Sequence, residues 1–535
     1  MFNFSSLPLP AAGVRTLLAL LLLTLRLPAA AQAPAWQSAR AVAAATAAAS
    51  FANSLVSATA VDAAGNVFLA GQFTDTVVLG GITLSSLGDH DVFVTKFNPT
   101  INQFVWAQRA GGPGADVARA LAVSGTSVYV AGDFGSTTAG FGATTLTNTD
   151  FRSSDIFVAK LTDAGSTGSF VWAKQAGGTA YDHATALAVS GTSLYVAGSF
   201  SSSAMSCGAI ILTNTGSINS FDAFVAKLSD TGNTGSFVWA QRAGGTGNDY
   251  AAALAVSATR VYMAGYFNSS TATFGPVTLT NASASNPNDV FVSQLIDAGS
   301  TGSFVWVQQA GGTQATALAV SGTSVYVAGY FDGTTASFGA TTLTNTASNS
   351  SDIFVAKLID LGSSGSFVWA QRAGGPGFDR ADALAVSGTS IYVAGGFSGP
   401  TAAFGSTSLT NVGFSDVFVA KLTDAGTLAS FVWAQQAGGT SDEYANTLAV
   451  SGVNVYVAGL FFSSSATFGA ITLSGSSSNL GFLASLTDPT LTATTAPTGP
   501  REPATLFPNP ARRTATLRLP AGTALAPLTL TDALG

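Results

Sequence analysis

The chain has 535 residues, of which 47% are hydrophobic and 9% charged, with 59 glycines and a formal net charge of −7. So little charge excludes disorder driven by self-repulsion, and an acidic balance without a basic patch excludes the electrostatic footprint of a nucleic-acid binder. Length alone would suggest three or four domains, but an internal repeat replaces that expectation with one body built from many units.

Residues 1–31 read as a secretory signal. Arg15 supplies a sparse basic start, Thr16–Leu25 the apolar core, and Pro28-Ala29-Ala30-Ala31 the small residues for cleavage. The core is too short to span a bilayer, so no transmembrane anchor is expected, and no cysteine follows the cleavage point to carry a lipid. Cys207 is the single cysteine, so disulfides cannot hold a secreted chain like this together. It falls where other repeats carry Phe (Phe141, Phe338) and reads as a small buried apolar side chain.

Seven tryptophans mark the period: Trp36, Trp106, Trp172, Trp239, Trp306, Trp369 and Trp433, at gaps of 70, 66, 67, 67, 63 and 64 residues. The last six sit in Phe-Val-Trp-Ala or Phe-Val-Trp-Val, usually followed by a polar pair and Ala-Gly-Gly. Seven Ala-Gly-x-Phe motifs interleave with them, beginning at Ala70, Ala131, Ala197, Ala264, Ala328, Ala394 and Ala458. An Asp-x-Phe-Val series surrounds Phe93, Phe157, Phe224, Phe291, Phe354 and Phe418, and its last member is degraded to Gly481-Phe482-Leu483.

One unit divides into four strands: A over 184–190, B over 193–200, C over 223–228 and D over 237–242, each a β-branched or aromatic run bounded by turn residues. Runs such as Phe-Val-Trp-Ala are apolar at consecutive positions, as strands buried on both faces must be. Four antiparallel strands repeated seven times predict an all-β, seven-bladed β-propeller. A solenoid has much shorter coils, and separate four-strand domains would bury too little surface. A lone D strand around Trp36 precedes the array, and the last repeat lacks one. The N-terminal strand is therefore expected to complete the last blade and close the ring, leaving no open ring end.

The succession Trp-Ala-x-x-x-Gly-Gly, Tyr-Val-Ala-Gly and Asp-x-Phe-Val-Ala-Lys-Leu resembles the SBBP-type repeat, named for the seven-bladed β-propeller, over about residues 35–488. The resemblance implies a secreted or surface propeller and says little about activity. The expected organisation is signal 1–31, propeller 32–488, Thr/Pro-rich linker 489–504 and a C-terminal segment 505–535. That segment opens with Leu506-Phe507-Pro508-Asn509-Pro510-Ala511 and closes with Asp532-Ala533-Leu534-Gly535. It resembles a truncated type A sorting domain of type IX secretion, with strands expected at 514–519 and 528–531. The resemblance implies partnership with that secretion machinery and export to the outer surface. Thirty residues make only an incomplete β-sandwich fragment, expected to be poorly ordered.

No pattern points to catalysis. His90 and His183 lie at unrelated repeat positions and, with one cysteine, cannot build a Cys/His zinc site. No Gly-x-Ser-x-Gly elbow or phosphate loop occurs. Carboxylates remain. Asp116, Asp182, Asp249, Asp379 and Glu443 lie four residues beyond an Ala-Gly-Gly turn, where strand A begins. Asp155, Asp222 and Asp352, with Asp91, Asp289 and Asp416, stand where strand C begins. Strands A and C run the same way, so both sets belong to one rim. Two readings stay open: each Asp bonds its own turn or the arginines Arg109, Arg242 and Arg372 at the end of strand D, or the set forms an acidic rim for divalent cations or basic partners. The B-to-C inserts on the same rim, rich in Thr, Ser and Asn, suit a glycan or protein ligand, or else form local hairpins with Phe338 packed beneath. The expectation is a monomeric, non-catalytic binding or adhesion scaffold without a cofactor, with a glycan-active hydrolase or lyase and a purely structural envelope protein as alternatives.

Overall fold

The computed structural model describes residues 33–42, 44–45, 53–217, 219–281, 288–475, 479–491, 505–507 and 516–518. All described regular structure is β. The apolar runs give strands with both faces covered: in Asp155–Asp163 all residues but Thr162 are buried. Such strands are stable only when sheets stack on both sides of them, and seven four-stranded antiparallel sheets do so around a ring.

Each blade runs A-B-C-D. Blade 1 spans Ser54–Ala110, blade 2 Asp116–Ala176, blade 3 Asp182–Gly244, blade 4 Asp249–Gly311, blade 5 Thr313–Ala373 and blade 6 Asp379–Ala437. Blade 7 takes A, B and C from Glu443–Thr487 and its D strand from Trp36–Val42, which pairs antiparallel with Leu480–Thr487. The ring is closed by the N-terminal strand, as the strand count predicts.

The tryptophan period needs one correction. In blade 2, Trp172 lies opposite Lys160 and Phe170 opposite Leu161 across a bulge. In blade 7, Ser38 lies opposite Ser485 and Trp36 opposite Leu486 across the same bulge. Trp36 therefore occupies the phenylalanine place, and its ring meets Phe468 edge-on at 5.2 Å as Phe170 meets Phe141 at 5.7 Å.

The B-to-C inserts are hairpins of two four-residue strands, such as Thr335–Phe338 with Thr341–Thr344. Phe338 is buried against Phe354 and Phe367. Each hairpin also bridges to the end of strand D of the preceding blade, as Thr273 does to Gly244 and Ser337 to Gly311. The inserts are thus staples between blades as well as connections.

A second device ties blades at the opposite rim. Asp230, at the end of strand C in blade 3, accepts bonds from three side chains of blade 2: Lys160 at 2.6 Å, Tyr129 at 2.7 Å and Trp172 at 3.1 Å. Asp163, Asp297 and Asp424 receive the equivalent lysine and tryptophan. Blade 4 substitutes Gln294, which donates to Asp360 at 2.7 Å. Between blades 7 and 1 the pattern lapses: Ser485 and Ser38 bond one another at 2.7 Å, and Pro99 stands where the acid would be.

Strand A carries a bulge in every blade, between Ala184 and Ala186 in blade 3, for example. It pushes the strand-A backbone against the glycine of Ala-Gly-x-Phe, so a Cβ at Gly198 would lie 1.9 Å from the His183 carbonyl oxygen. Glycine is required there by close approach, which explains why all seven repeats have it.

The chain divides into two units after Leu491. In the second, Thr505–Phe507 pairs antiparallel with Thr516–Arg518, within the strand expected at 514–519. The expected signal at 1–31, the strand at 528–531 and most of the linker lie outside the described residues. Among the described residues no helix is long and apolar enough to cross a membrane.

Candidate functional site

The acids that begin strand A are buried and spend their oxygens on the D-to-A connection just before them and on the B-to-C connection of their own blade. Asp116 accepts from the Gly112 amide at 2.7 Å and the Ser136 hydroxyl at 2.7 Å; Asp182 and Asp249 repeat this with Gly178 and Ser202, and with Gly245 and Ser269. Asp379 takes the amides of Gly375 and Ser398, and Glu443 those of Gly439 and Ser463. The acids that begin strand C are equally buried. Asp155 binds Thr149 and Gln175, Asp222 binds Thr215 and Arg242 (3.0 Å), and Asp352 binds Thr346 and Arg372 (2.7 Å).

The two sets meet in pairs across the blade junctions. A Cβ at Gly111 would lie 2.4 Å from Asp91 Oδ1 and 2.7 Å from Asp116 Oδ2, and Gly244 and Gly374 sit in the same cradle of two carboxylates. Burial, with each acid's neighbour adding repulsion, pushes Asp116 and Asp182 up to about 6 and Asp379 to about 7; burial also raises Asp155, Asp222 and Asp249. The arrangement braces the junctions. No described trio of His, Cys, Asp or Glu is placed to hold a metal ion together.

What the rim presents to solvent is a different set of residues, and these break the repeat. The bulge leaves one strand-A residue out of register in each blade: Ser57, Arg119, Thr185, Ala252, Thr316, Asp382 and Asn446. Bulges re-aim side chains. Five of these residues, from blades 3 to 7, line one axial cavity of about 290 Å³ with Tyr250 and Tyr266. Several also stitch neighbouring strands: Thr185 donates to the Ala251 carbonyl at 2.6 Å, Thr316 to that of Ala381 at 2.5 Å and Asn446 to that of Val56 at 2.9 Å.

A second cleft, of about 580 Å³, opens on the same rim over blades 5 to 7. Its walls include Tyr330, Phe378, Phe414 and Tyr444, with Arg380 and Asp442 between them. Phe378 and Phe414 are 67% and 73% exposed. Tyr444 donates to Asp442 at 3.1 Å, Tyr330 to Gln314 at 2.8 Å, and Arg380 to Asp382 at 2.7 Å. Gly396 makes room for the Tyr444 ring, since a Cβ there would come within 2.8 Å of it. Sequence reasoning missed these positions, although the signal was present: the residue after the strand-A acid and the x of Ala-Gly-x-Phe change from blade to blade where their flanks do not.

One constellation looks catalytic and is not arranged so. His183 stacks between Tyr181 and Phe221 and lies near both Asp133 (3.3 Å) and Ser154 (3.5 Å). Both meet Nδ1, whereas a serine–histidine–aspartate relay needs the two partners on opposite ring nitrogens. Asp133 is instead a structural acceptor: burial raises its pKa, but His183 and Arg119 outweigh that and hold it below the ordinary carboxylate range.

No family model matches the chain, and no curated protein matches it. The solved structures similar to it include the following three. A protein from Lactobacillus plantarum shares 13% identity over 77% of this chain and 98% of its own, at a TM-score of 0.39. Sqt1 from Chaetomium thermophilum shares 11% over 73% and 87%, at 0.35. A protein from Bacteroides uniformis, provisionally named a 6-phosphogluconolactonase, shares 10% over 69% and 99%, at 0.29.

Proposed function

We propose that the chain is a non-catalytic binding scaffold at or beyond the cell surface, and that the rim where strands A and C begin takes a carbohydrate. One observation carries this reading. In a ring whose buried residues are nearly copied from blade to blade, the solvent-facing rim positions differ, and over blades 5 to 7 they assemble exposed aromatic faces around Arg380, Asp442 and Ser398. Aromatic faces beside fixed polar groups suit sugar rings, which present apolar C–H faces and hydroxyl edges together. Export rests on sequence motifs alone: the signal at 1–31 and the sorting-like segment at 505–535.

The test is a glycan array probed with the propeller, residues 32–491. Saturable hits that weaken on Phe378→Ala and Phe414→Ala, with an unchanged melting temperature, support the reading. Turnover of any hit, abolished by a single substitution, overturns its non-catalytic part. Export is tested by fractionating cells that make the chain with and without residues 505–535; equal surface and medium levels contradict a sorting role.

A further inference from the structure

Asp382 is the only acid among the seven bulge residues. Its Oδ1 accepts from Arg380 Nε at 2.7 Å, while its Oδ2 is buried without a hydrogen-bond partner. A desolvated carboxylate oxygen left unpaired is costly; Oδ1 of Asp91, Asp155, Asp222, Asp352 and Asp416 is unpaired too, but of these acids Asp382 is the one that lines a cavity described above. Asp382 lines the axial cavity together with polar neighbours, some of whose donors are already bonded. The Thr185 and Thr316 hydroxyls and the Asn446 amide all donate to backbone carbonyls. The lining therefore offers acceptors and donors together: the Asp382 carboxylate, the second Asn446 N–H and the hydroxyls of Tyr250 and Tyr266, whose ring centroids lie 5.1 Å apart.

We infer that the axial cavity is a subsite for the hydroxyl-bearing end of a neutral sugar, with the Asp382 carboxylate accepting from one hydroxyl. This rests on the carbohydrate reading above and names its ligand class. An ammonium group would also bring donors, but Arg380 already neutralises Asp382 and repels a second cation. The volume, about 290 Å³, is at the small end of ligand pockets and suits one ring instead of a chain.

The experiment titrates the propeller with glucose, galactose and mannose, and separately with spermidine, by saturation-transfer NMR. Asp382→Asn keeps the shape and removes the charged acceptor, and Tyr250→Leu removes one ring wall as an independent variant. The inference expects a signal from at least one hexose, reduced tenfold or more by each variant, and none from spermidine. Hexose binding untouched by Asp382→Asn, or spermidine binding in preference to hexoses, overturns the subsite while leaving the array result standing. Silence from all three hexoses together with a blank array overturns both.

Discussion

Replacing Asp230 by alanine tests how blades are held together. The substitution removes the acceptor of a buried lysine, a tyrosine hydroxyl, an indole N–H and the Gly232 amide, at 2.6, 2.7, 3.1 and 2.9 Å. Lys160 is 7% exposed and would keep only the Gly232 carbonyl at 3.1 Å. Stranding one member of a buried ion pair costs roughly 3–5 kcal/mol. The orphaned indole and phenol add to this without being additive. A loss of about 4 kcal/mol is therefore expected. Lys160→Gln should cost only about 1 kcal/mol, because blade 4 already uses Gln294 to reach Asp360 at 2.7 Å. Urea unfolding followed by tryptophan fluorescence gives both values. If Asp230→Ala shifts the midpoint no more than Lys160→Gln does, the clamp is not what holds the junction.

The strand that closes the ring, the buried rim acids and the buried thiol each make a further outcome measurable. Deleting the chain through Val42 should open blade 7 and lower the melting temperature sharply. Trp36→Ala alone should cost about 3–5 kcal/mol, since the ring is buried and its N–H is bonded to Gln436; an unaltered melting temperature would refute closure by this strand. Asp116, Asp182, Asp379 and Asp416 are pushed up to about 6, 6, 7 and 6 by burial, so the folded state holds their protons more tightly than the unfolded chain does. Their contribution is complete below the ordinary carboxylate range and is lost as pH rises through about 6 to 7, while Asp488, held near 2 because Lys421 and Tyr392 outweigh its burial, loses its contribution only in acid. The melting temperature should therefore fall between about pH 5 and pH 8, and a rise over that window would contradict the assignment. Burial and Asp182 push the Cys207 thiol up to about 12, so thiol reagents should label it only as fast as the protein unfolds.

The fold was legible because blade packing writes itself into every repeat. Strand C must be apolar on both faces, and glycine must sit opposite the strand-A bulge, so period, blade count and the closing strand could be read directly. Trp36 was misplaced by one register because a bulge at Gln37 is invisible in sequence, and either aromatic fills the pocket beside Phe468. The acids of the rim were visible as residues, but their direction depends on turn geometry, which folds Asp116 back onto Gly112 and Ser136. Asp382 and its counterparts escaped notice for a related reason. A bulged residue leaves the alternation of its strand, so simple periodicity assigns it to the wrong face.

The proposed recognition belongs to the rim where strands A and C begin. The direct measurement compares glycan affinity of two double variants by calorimetry: Phe378→Ala with Phe414→Ala on that rim, and Leu361→Ala with Leu428→Ala in the C-to-D turns of the opposite rim. All four side chains are more than half exposed, so neither pair should disturb folding. At least a tenfold loss, about 1.4 kcal/mol, is expected for the first pair and none for the second. Full binding by the first pair with loss in the second would place recognition on the other face and contradict it.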